Sequence, residues 1–341
     1  MQSNALFLFP TQLIFSLLVL LFSREAFSQP PQFSQSVFDY LSPQEGVAMT
    51  IELDLTELIN SKKTNQYFPA TLTTADGQLL QLDIRPRGKY RRKNCEIPPL
   101  KLKFSKKTLR AAHLDTLNEV KLVVPCLDDA EGEALLLREY VAYRLFERLS
   151  PTHAVRARLV KVAFRDRHVE QLKAPVYCLL LEHEEQVAAR LQGSIVEDYN
   201  LPGGQLDMQQ AALTSLFEYM IGNTDWAVAD FRNVYLLKPA DGSKIRVIPY
   251  DFDFSALVGA PYAMNNQASR PERKLVTTGI SALALSQAAG TMRAAKTDLL
   301  AWCSASFLSK NAAKEMNRYL EAFYEVLDTK PDFLKGPVEI R

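Results

Sequence analysis

The feature that most constrains the fold is a hairpin signal in the second half of the chain. Two apolar runs flank the dipeptide Asp241-Gly242, at 234–237 and 245–250. This dipeptide tolerates positive φ, which makes it a strong predictor of a tight antiparallel turn. Centring the turn there pairs Asn233 with roughly position 250. We therefore expect Asn233 and Asp251 at the same open end of the hairpin.

Oxygen-bearing side chains gather at that open end in this prediction. Asp225 enters just upstream of it, and Asp253 follows Asp251 by two residues in a segment predicted to be extended. Residues two apart in a strand share a face, so both carboxylates are expected to point the same way. Mg²⁺ is bound by such oxygens together with those of phosphate. The pattern predicts metal ligands at Asn233, Asp251 and Asp253, and the alternative is an ordinary hairpin whose polar residues cap turns.

Composition places the chain among globular proteins. Its 341 residues are 47% apolar and 23% charged, with a formal net charge of +1, which suits two lobes or domains. This near-neutral balance lacks the positive field that nucleic acid attracts, so no nucleic-acid partner is expected. A local basic run at 85–93 is interpreted as a phosphate-facing loop or a solvated turn.

The amino-terminal segment is predicted to be a targeting signal. A largely apolar run covers 13–22, and residues 26–28 fit a small-x-small cleavage pattern. Residues 1–28 are therefore expected to act as a signal peptide, and the protein is expected to be secreted, periplasmic or at the cell surface. The alternative is an uncleaved anchor, in which case this segment alone would contact the membrane.

Export permits disulfides, and the chain has four cysteines. Cys95 and Cys126 lie in polar, turn-like surroundings and form the favoured pair. Cys178 lies in an apolar strand and is interpreted as a buried thiol. The sequence has no Cys/His spacing typical of zinc.

A long amphipathic helix is predicted over 131–149, after a strand that carries lysines. Glu139 falls within the apolar face of this helix. A carboxylate buried there needs a cation, and the lysine strand is the nearest source. Glu139 is therefore expected to pair with Lys103 or Lys101. The alternative is a side chain that reaches the helix edge or pairs with Arg138.

The order of elements predicts an α+β, protein-kinase-like, two-lobed fold. Strand-like runs cover 48–55, 70–74, 79–85, 100–104, 155–164 and 174–182, and helical periodicity covers a segment ending at Gly222, then 279–308 and 312–327. The expected N-lobe is 29–182, an antiparallel sheet with one long helix. The expected C-lobe is 183–341, mainly helical, with the catalytic hairpin at 225–254.

The chain also resembles the CotH kinase family, which comprises spore coat protein H-like, atypical secreted kinase-like proteins. The shared motifs are the GNTDW block at 222–226, the strand-opening Asn233 and the DFD-type segment at 251–253. Upstream, RPRGKYRR, PPLKLKF and LLREYVAYRLF resemble the Arg-Gly loop, the lysine strand and the glutamate helix of that family. The resemblance covers roughly residues 48–330.

Two departures from the family pattern limit what is carried over. Many members have His immediately before the Asn, whereas this chain has Arg232. The upstream loop has Gly88 instead of a GxGxxG run, so Arg87 is expected to act as a side-chain phosphate donor.

The resemblance implies that ATP and Mg²⁺ are cofactors and that the γ-phosphate is transferred to a hydroxyl on an unknown protein or glycan. Asp225 is the expected catalytic residue. The expected cofactor-binding residues are Lys103, Lys101, Glu139, Arg87 and Glu182, with the backbone at Glu182 meeting adenine. The alternatives are a non-catalytic surface or coat protein that retains the kinase-like fold, and a metal-dependent hydrolase.

Overall fold

The computed structural model describes residues 35–197, 204–264, 273–277, 279–330 and 334. The signal peptide predicted at 1–28 lies outside these residues. Among the described helices, none has the length and apolar character needed to cross a membrane.

Seven strands form a closed barrel, and an eighth lies outside the ring. The strands are β1 (Val47–Leu53), β2 (Phe68–Thr73), β3 (Leu79–Pro86), β4 (Leu100–Phe104), β5 (Glu119–Val123), β6 (Ala157–Asp166), β7 (Gln171–Leu172) and β8 (Val176–Leu181). The order around the ring is β1-β2-β3-β4-β5-β8-β6, and β7 pairs with β6. The ring closes because β6 pairs with β1 in parallel, from Val47 beside Val160 to Leu53 beside Asp166.

This barrel shows that the prediction of a protein-kinase-like, two-lobed α+β fold with a sheet-rich N-lobe is wrong. The predicted strands are present, but the two edges of the sheet are joined to each other and not left open. The closed ring encloses its own apolar core, which includes Ile51, Leu102 and Val162. Closure also removes the unpaired backbone groups of an edge strand.

The helices pack outside the barrel and against one another. They are α1 (Val37–Leu41), α2 (Leu55–Asn60), α3 (Arg91–Asn94), α4 (Lys106–Ala111), α5 (Ala130–Leu149), α6 (Glu184–Arg190), α7 (Met208–Ile221), α8 (Ala282–Trp302) and α9 (Lys310–Thr329), with a 3₁₀ turn at Pro261–Met264. The helices predicted at 131–149, 279–308 and 312–327 are confirmed by α5, α8 and α9. A second apolar core joins α5, α7, α8 and α9 to the barrel wall.

A three-stranded sheet contains the predicted hairpin. It is formed by β9 (Gly193–Ile195), β10 (Val234–Pro239) and β11 (Arg246–Pro249) in the order β11-β10-β9. Val234 pairs with Pro249, and the N–H of Tyr250 donates to the carbonyl of Asn233 at 3.0 Å. This confirms the predicted register, and Gly242 in the turn has the positive φ of 76° that the turn requires.

The predicted disulfide between Cys95 and Cys126 is confirmed. Cys95 ends α3, and Cys126 lies between β5 and α5, so the bond ties the short helix to the chain that leads into the long one. Cys178 in β8 is a buried free thiol, as predicted.

Candidate functional site

The open end of the hairpin holds Asn233 and Asp251 in fixed positions beside Asp225. Both hairpin residues adopt left-handed backbone conformations, with φ of 53° and 65°. The Asn233 side-chain amide donates to the Asp225 carbonyl at 2.6 Å and to its carboxylate at 3.1 Å. The N–H of Asp251 donates to the Tyr143 hydroxyl of α5 at 2.9 Å. Unfavourable backbone conformations held in this way cluster at functional sites.

The carboxylate of Asp225 is suited to accept a proton. Burial is the main cause of its raised pKa; Arg232 opposes the shift and the negative charge of Asp251 reinforces it. Arg232 donates to the carboxylate at 3.4 Å. The Asp225 N–H donates to the Asn223 side chain at 3.0 Å, which fixes the loop. A half-buried carboxylate with a raised pKa is a stronger base than an exposed one.

Behind the hairpin end, Arg91 links two buried carboxylates. Its guanidinium pairs with Glu139 of α5 and donates through Nε to Asp253 at 2.8 Å. The Tyr262 hydroxyl donates to the same oxygen of Asp253 at 3.1 Å. Arg91, Glu139 and Asp253 are 8%, 1% and 2% exposed. Burial raises the pKa of Glu139 to about 7 and that of Asp253 to about 6, against the effect of Arg91.

The predicted pairing of Glu139 with Lys103 or Lys101 is therefore wrong, although its place in the buried face of the helix is confirmed. Lys101 pairs with Glu119 on the neighbouring strand, and the Lys103 ammonium lies 3.8 Å from that carboxylate. Cross-strand neighbours thus bind the lysines of β4. Arg91 is the cation instead; it lies on α3, which the disulfide ties to the chain that leads into α5.

The segment that follows β11 also differs from the prediction. It is not extended, since β11 ends at Pro249, Asp251 is left-handed and Asp253 lies in a turn. Phe252 between them is buried against Tyr143 and Phe217. The two carboxylates therefore do not share a strand face, and Asp253 is held by Arg91.

Sequence reasoning missed Lys121 in β5, which lies beside Tyr250 at the hairpin end. Its ammonium is bonded to the carboxylate of Glu184 and to the hydroxyl of Tyr235. The rings of Tyr235 and Tyr250 lie 5.0 and 5.6 Å from the ammonium. Burial lowers the pKa of Lys121 to about 8; the positive charge of Arg87 adds to this shift and Glu184 opposes it. The missed signal is one lysine within an otherwise apolar strand, VKLVV.

Tyr143 and Tyr250 contact groups around the hairpin end: the Tyr143 hydroxyl accepts a hydrogen bond from the Asp251 N–H at 2.9 Å, and the Tyr250 ring lies 5.6 Å from the Lys121 ammonium. Burial raises the pKa of both Tyr143 and Tyr250, the latter to about 12. Asp251 adds to each shift, and Arg87 opposes each shift. Arg87 and Asp251 are therefore both within electrostatic reach of the same pair of rings. Arg87 also contributes to the lowered pKa of Lys121, so it lies within electrostatic reach of that lysine as well.

Glu182, predicted to lie where adenine binds, has its carboxylate and its N–H engaged within the protein. Its buried carboxylate accepts hydrogen bonds from Arg156 and Arg190. Its N–H donates to the Arg156 carbonyl at 3.1 Å, and the N–H of His183 donates to Gln186 at 3.2 Å. These contacts give Glu182 a structural place, and the adenine contact stays a prediction.

The residues at the hairpin end fit Mg²⁺ by their chemistry and by their unbalanced charge. No group of three or more His, Cys, Asp or Glu residues in the described parts of the chain is arranged as a metal site. Two carboxylates and an amide, however, suit Mg²⁺ when phosphate oxygens and water complete the shell. The charge of Asp251 helps to raise the pKa of Asp225, Glu139 and Asp253. A divalent cation beside Asp251 would offset this repulsion.

Comparison with known proteins adds no assignment. A scan of protein-family models finds no match to the chain, and a search of curated proteins finds none either. The resemblance to the CotH kinase family therefore stays a prediction that rests on its motifs.

Proposed function

We propose that the protein is a secreted phosphotransferase that moves the γ-phosphate of ATP to a hydroxyl acceptor with the assistance of Mg²⁺. One observation carries the proposal: the Lys121 ammonium lies 5.6 Å from the ring of Tyr250, the residue that precedes Asp251 at the hairpin end. A polyphosphate with its metal ion needs both signs of charge at close range. The barrel is not a kinase-like lobe, so the fold gives the proposal no support. The proposal rests on the residues of this site and on the sequence motifs.

Each residue of this site has a role in this chemistry. Lys121 and Arg87 bind phosphate oxygens, while Asn233 and Asp251 hold the metal ion. Bound Mg²⁺ neutralises charge on the phosphates during transfer. Asp225 takes the proton from the acceptor hydroxyl while the oxygen of that hydroxyl forms a bond to the γ-phosphorus. The bond from that phosphorus to the β–γ bridging oxygen breaks, and ADP leaves with the electron pair.

Export is supported by the disulfide between Cys95 and Cys126. Such bonds persist in oxidising compartments and are rare in a reducing cytosol. A secreted location is thus part of the proposal, together with the signal peptide predicted from the sequence.

Calorimetric titration with ATP tests the proposal. We expect ATP to bind with Mg²⁺ present and more weakly when the metal is chelated. Asp251→Asn should abolish this dependence on Mg²⁺, since one metal ligand loses its charge. Asp241→Asn is the matched control, because Asp241 lies in the exposed turn at the other end of the hairpin. Absence of ATP binding to the wild-type protein, or equal affinity with and without Mg²⁺, would contradict the proposal.

Lys121, not Lys103, should determine nucleotide affinity. We expect Lys121→Met to weaken Mg-ATP binding about 10- to 100-fold, because a charged hydrogen bond to phosphate is lost. Lys103→Met is the control, since that side chain is 46% exposed and pairs with Glu119. Wild-type affinity should also fall as pH rises through about 8, where Lys121 loses its proton. Equal losses in the two variants would rule out this assignment.

A further inference from the structure

Basic side chains gather beside the proposed site, on the loops after α2 and β3 and on α3. We call this group the basic surface; its members are Lys62, Lys63, Lys89, Arg92 and Lys93. Without these five charges, the formal net charge of the chain would fall from +1 to −4. These five cations therefore come from two short segments, 62–63 and 89–93, of a protein that is nearly neutral as a whole.

The basic surface is held in shape by its neighbours. Helix α3 has only four residues, too few to be stable alone. Its end is fixed by the disulfide of Cys95, and the Lys62 ammonium donates to the Cys95 carbonyl at 2.6 Å. The Arg92 guanidinium donates to the side-chain oxygen of Asn65 at 2.8 Å. The two segments therefore present their cations from a preorganised unit.

The cations of the basic surface are not neutralised by carboxylates in the part of the chain that the structure describes. There, no carboxylate oxygen lies within 4.0 Å of a charged nitrogen of any member. Lys62 and Arg92 bond to neutral oxygens instead. Glu96, exposed next to Cys95, offsets only part of the charge. Unpaired cations on a fixed surface attract anions over about 10 Å at moderate salt.

Tyr90 and Arg91 connect the basic surface to the site. The Tyr90 ring packs against Phe254 and Tyr262 with centroids 5.5 Å apart in each case. Arg91, between Tyr90 and Arg92 in the chain, donates to Asp253 at 2.8 Å. A ligand on the basic surface therefore lies next to the segment that leads away from Asp251.

We propose that the basic surface docks an acidic stretch of the polypeptide whose hydroxyl is the phosphate acceptor. The inference rests on the proposed function and names its substrate class. The proposed site itself carries the carboxylates of Asp225 and Asp251, which repel a uniformly anionic polymer. A polypeptide can place acidic residues on the cations and an uncharged Ser or Thr beside Asp225.

A nucleic acid fits this arrangement less well. It would bring a phosphate with every nucleotide close to the carboxylates of Asp225 and Asp251. Single strands also need free aromatic faces on which bases stack. Tyr90 is 41% exposed, but its ring is already packed against two others. The observations therefore favour an acidic polypeptide.

Fluorescence anisotropy without nucleotide tests the docking separately from the transfer. The probes are a labelled peptide with one Ser beside a run of Glu, and the same peptide with Gln in place of Glu. The wild-type protein should prefer the Glu peptide, and added salt should reduce that preference. The double variant Lys89→Glu, Lys93→Glu should weaken binding of this peptide about 10-fold.

The matched control is the double variant Lys310→Glu, Lys314→Glu, which reverses two exposed charges on α9. It should bind the Glu peptide as the wild-type protein does. Equal affinity for the two peptides, or equal losses in the two double variants, would overturn the proposal. So would a single-stranded oligonucleotide of the same charge that binds more tightly and displaces the peptide. None of these outcomes depends on ATP, whose binding is the separate test of the phosphotransferase.

Discussion

Replacing Asp225 with Asn will lower the rate of phosphoryl transfer about 1,000-fold, because the group that accepts the acceptor's proton is lost. The substitution keeps the shape of the side chain, and Asp225 is half exposed, so the fold should remain intact. Affinity for Mg-ATP should stay within about threefold, since catalysis and not ground-state binding is affected. The measurement is transfer of label from the γ-phosphate of ATP to the protein itself or to added secreted proteins.

Asp230→Asn is the control for this experiment. Asp230 is exposed, and its carboxylate lies 3.6 Å from Arg232, the same arginine that contacts Asp225. The control removes a neighbouring charge and leaves the base in place, so transfer should persist. An equal loss of phosphoryl transfer in both variants would show that the loss comes from disturbing Arg232 and not from removing the base. Label released only as inorganic phosphate would indicate a hydrolase.

Replacing Arg91 with Met will lower the free energy of unfolding by about 3 to 5 kcal/mol, the range for breaking a buried ion pair. The substitution leaves Glu139 and Asp253 buried without their cation. Both carboxyl groups already have raised pKa values, of about 7 and about 6. Folding therefore favours the protonated forms of these carboxyl groups. The loss of unfolding free energy in the variant, relative to the wild-type protein, should grow as pH rises through this range. Urea denaturation at pH 5 and pH 8 measures it.

Arg92→Met is the matched control, one residue away. Within the part of the chain that the structure describes, Arg92 donates only to the neutral oxygens of Thr64 and Asn65, so its loss should change stability by about 0.5 kcal/mol or less. Adding Glu139→Gln to Arg91→Met should restore part of the lost stability, because one unpaired charge is removed. Similar losses for both arginines, or no recovery in the double variant, would show that Arg91 does not hold the two carboxylates.

Local patterns predicted much of the architecture. Asp241-Gly242 determines the hairpin register because the turn and its flanking strands are adjacent in the chain. Periodicity located α5 and the buried position of Glu139, and Gly222 marked the end of α7. Each of these signals is confined to fewer than about 20 residues, where propensity and periodicity are informative.

Features that depend on distant contacts were not predictable in this way. The pairing of β1 with β6 joins strands that are separated in the chain by four other strands and four helices. Arg91 reaches Asp253 across 162 residues of chain, and Lys121 reaches Tyr235 across 114. A short strand with one lysine has no pattern that reveals such partners. The pattern of a lysine-bearing strand therefore points to Lys101 and Lys103 as the cation for Glu139 and not to Arg91.

The parallel pairing of β1 with β6 also has a consequence for biogenesis. A nascent chain exposes the β6-facing hydrogen-bonding groups of β1 until residues as late as Asp166 have emerged, whereas the other edge of β1 can pair with β2 much earlier. Such non-local closure slows folding, and an unpaired strand invites association with other chains in the meantime. Chaperones that shield this strand during synthesis or translocation would raise the yield of the native protein.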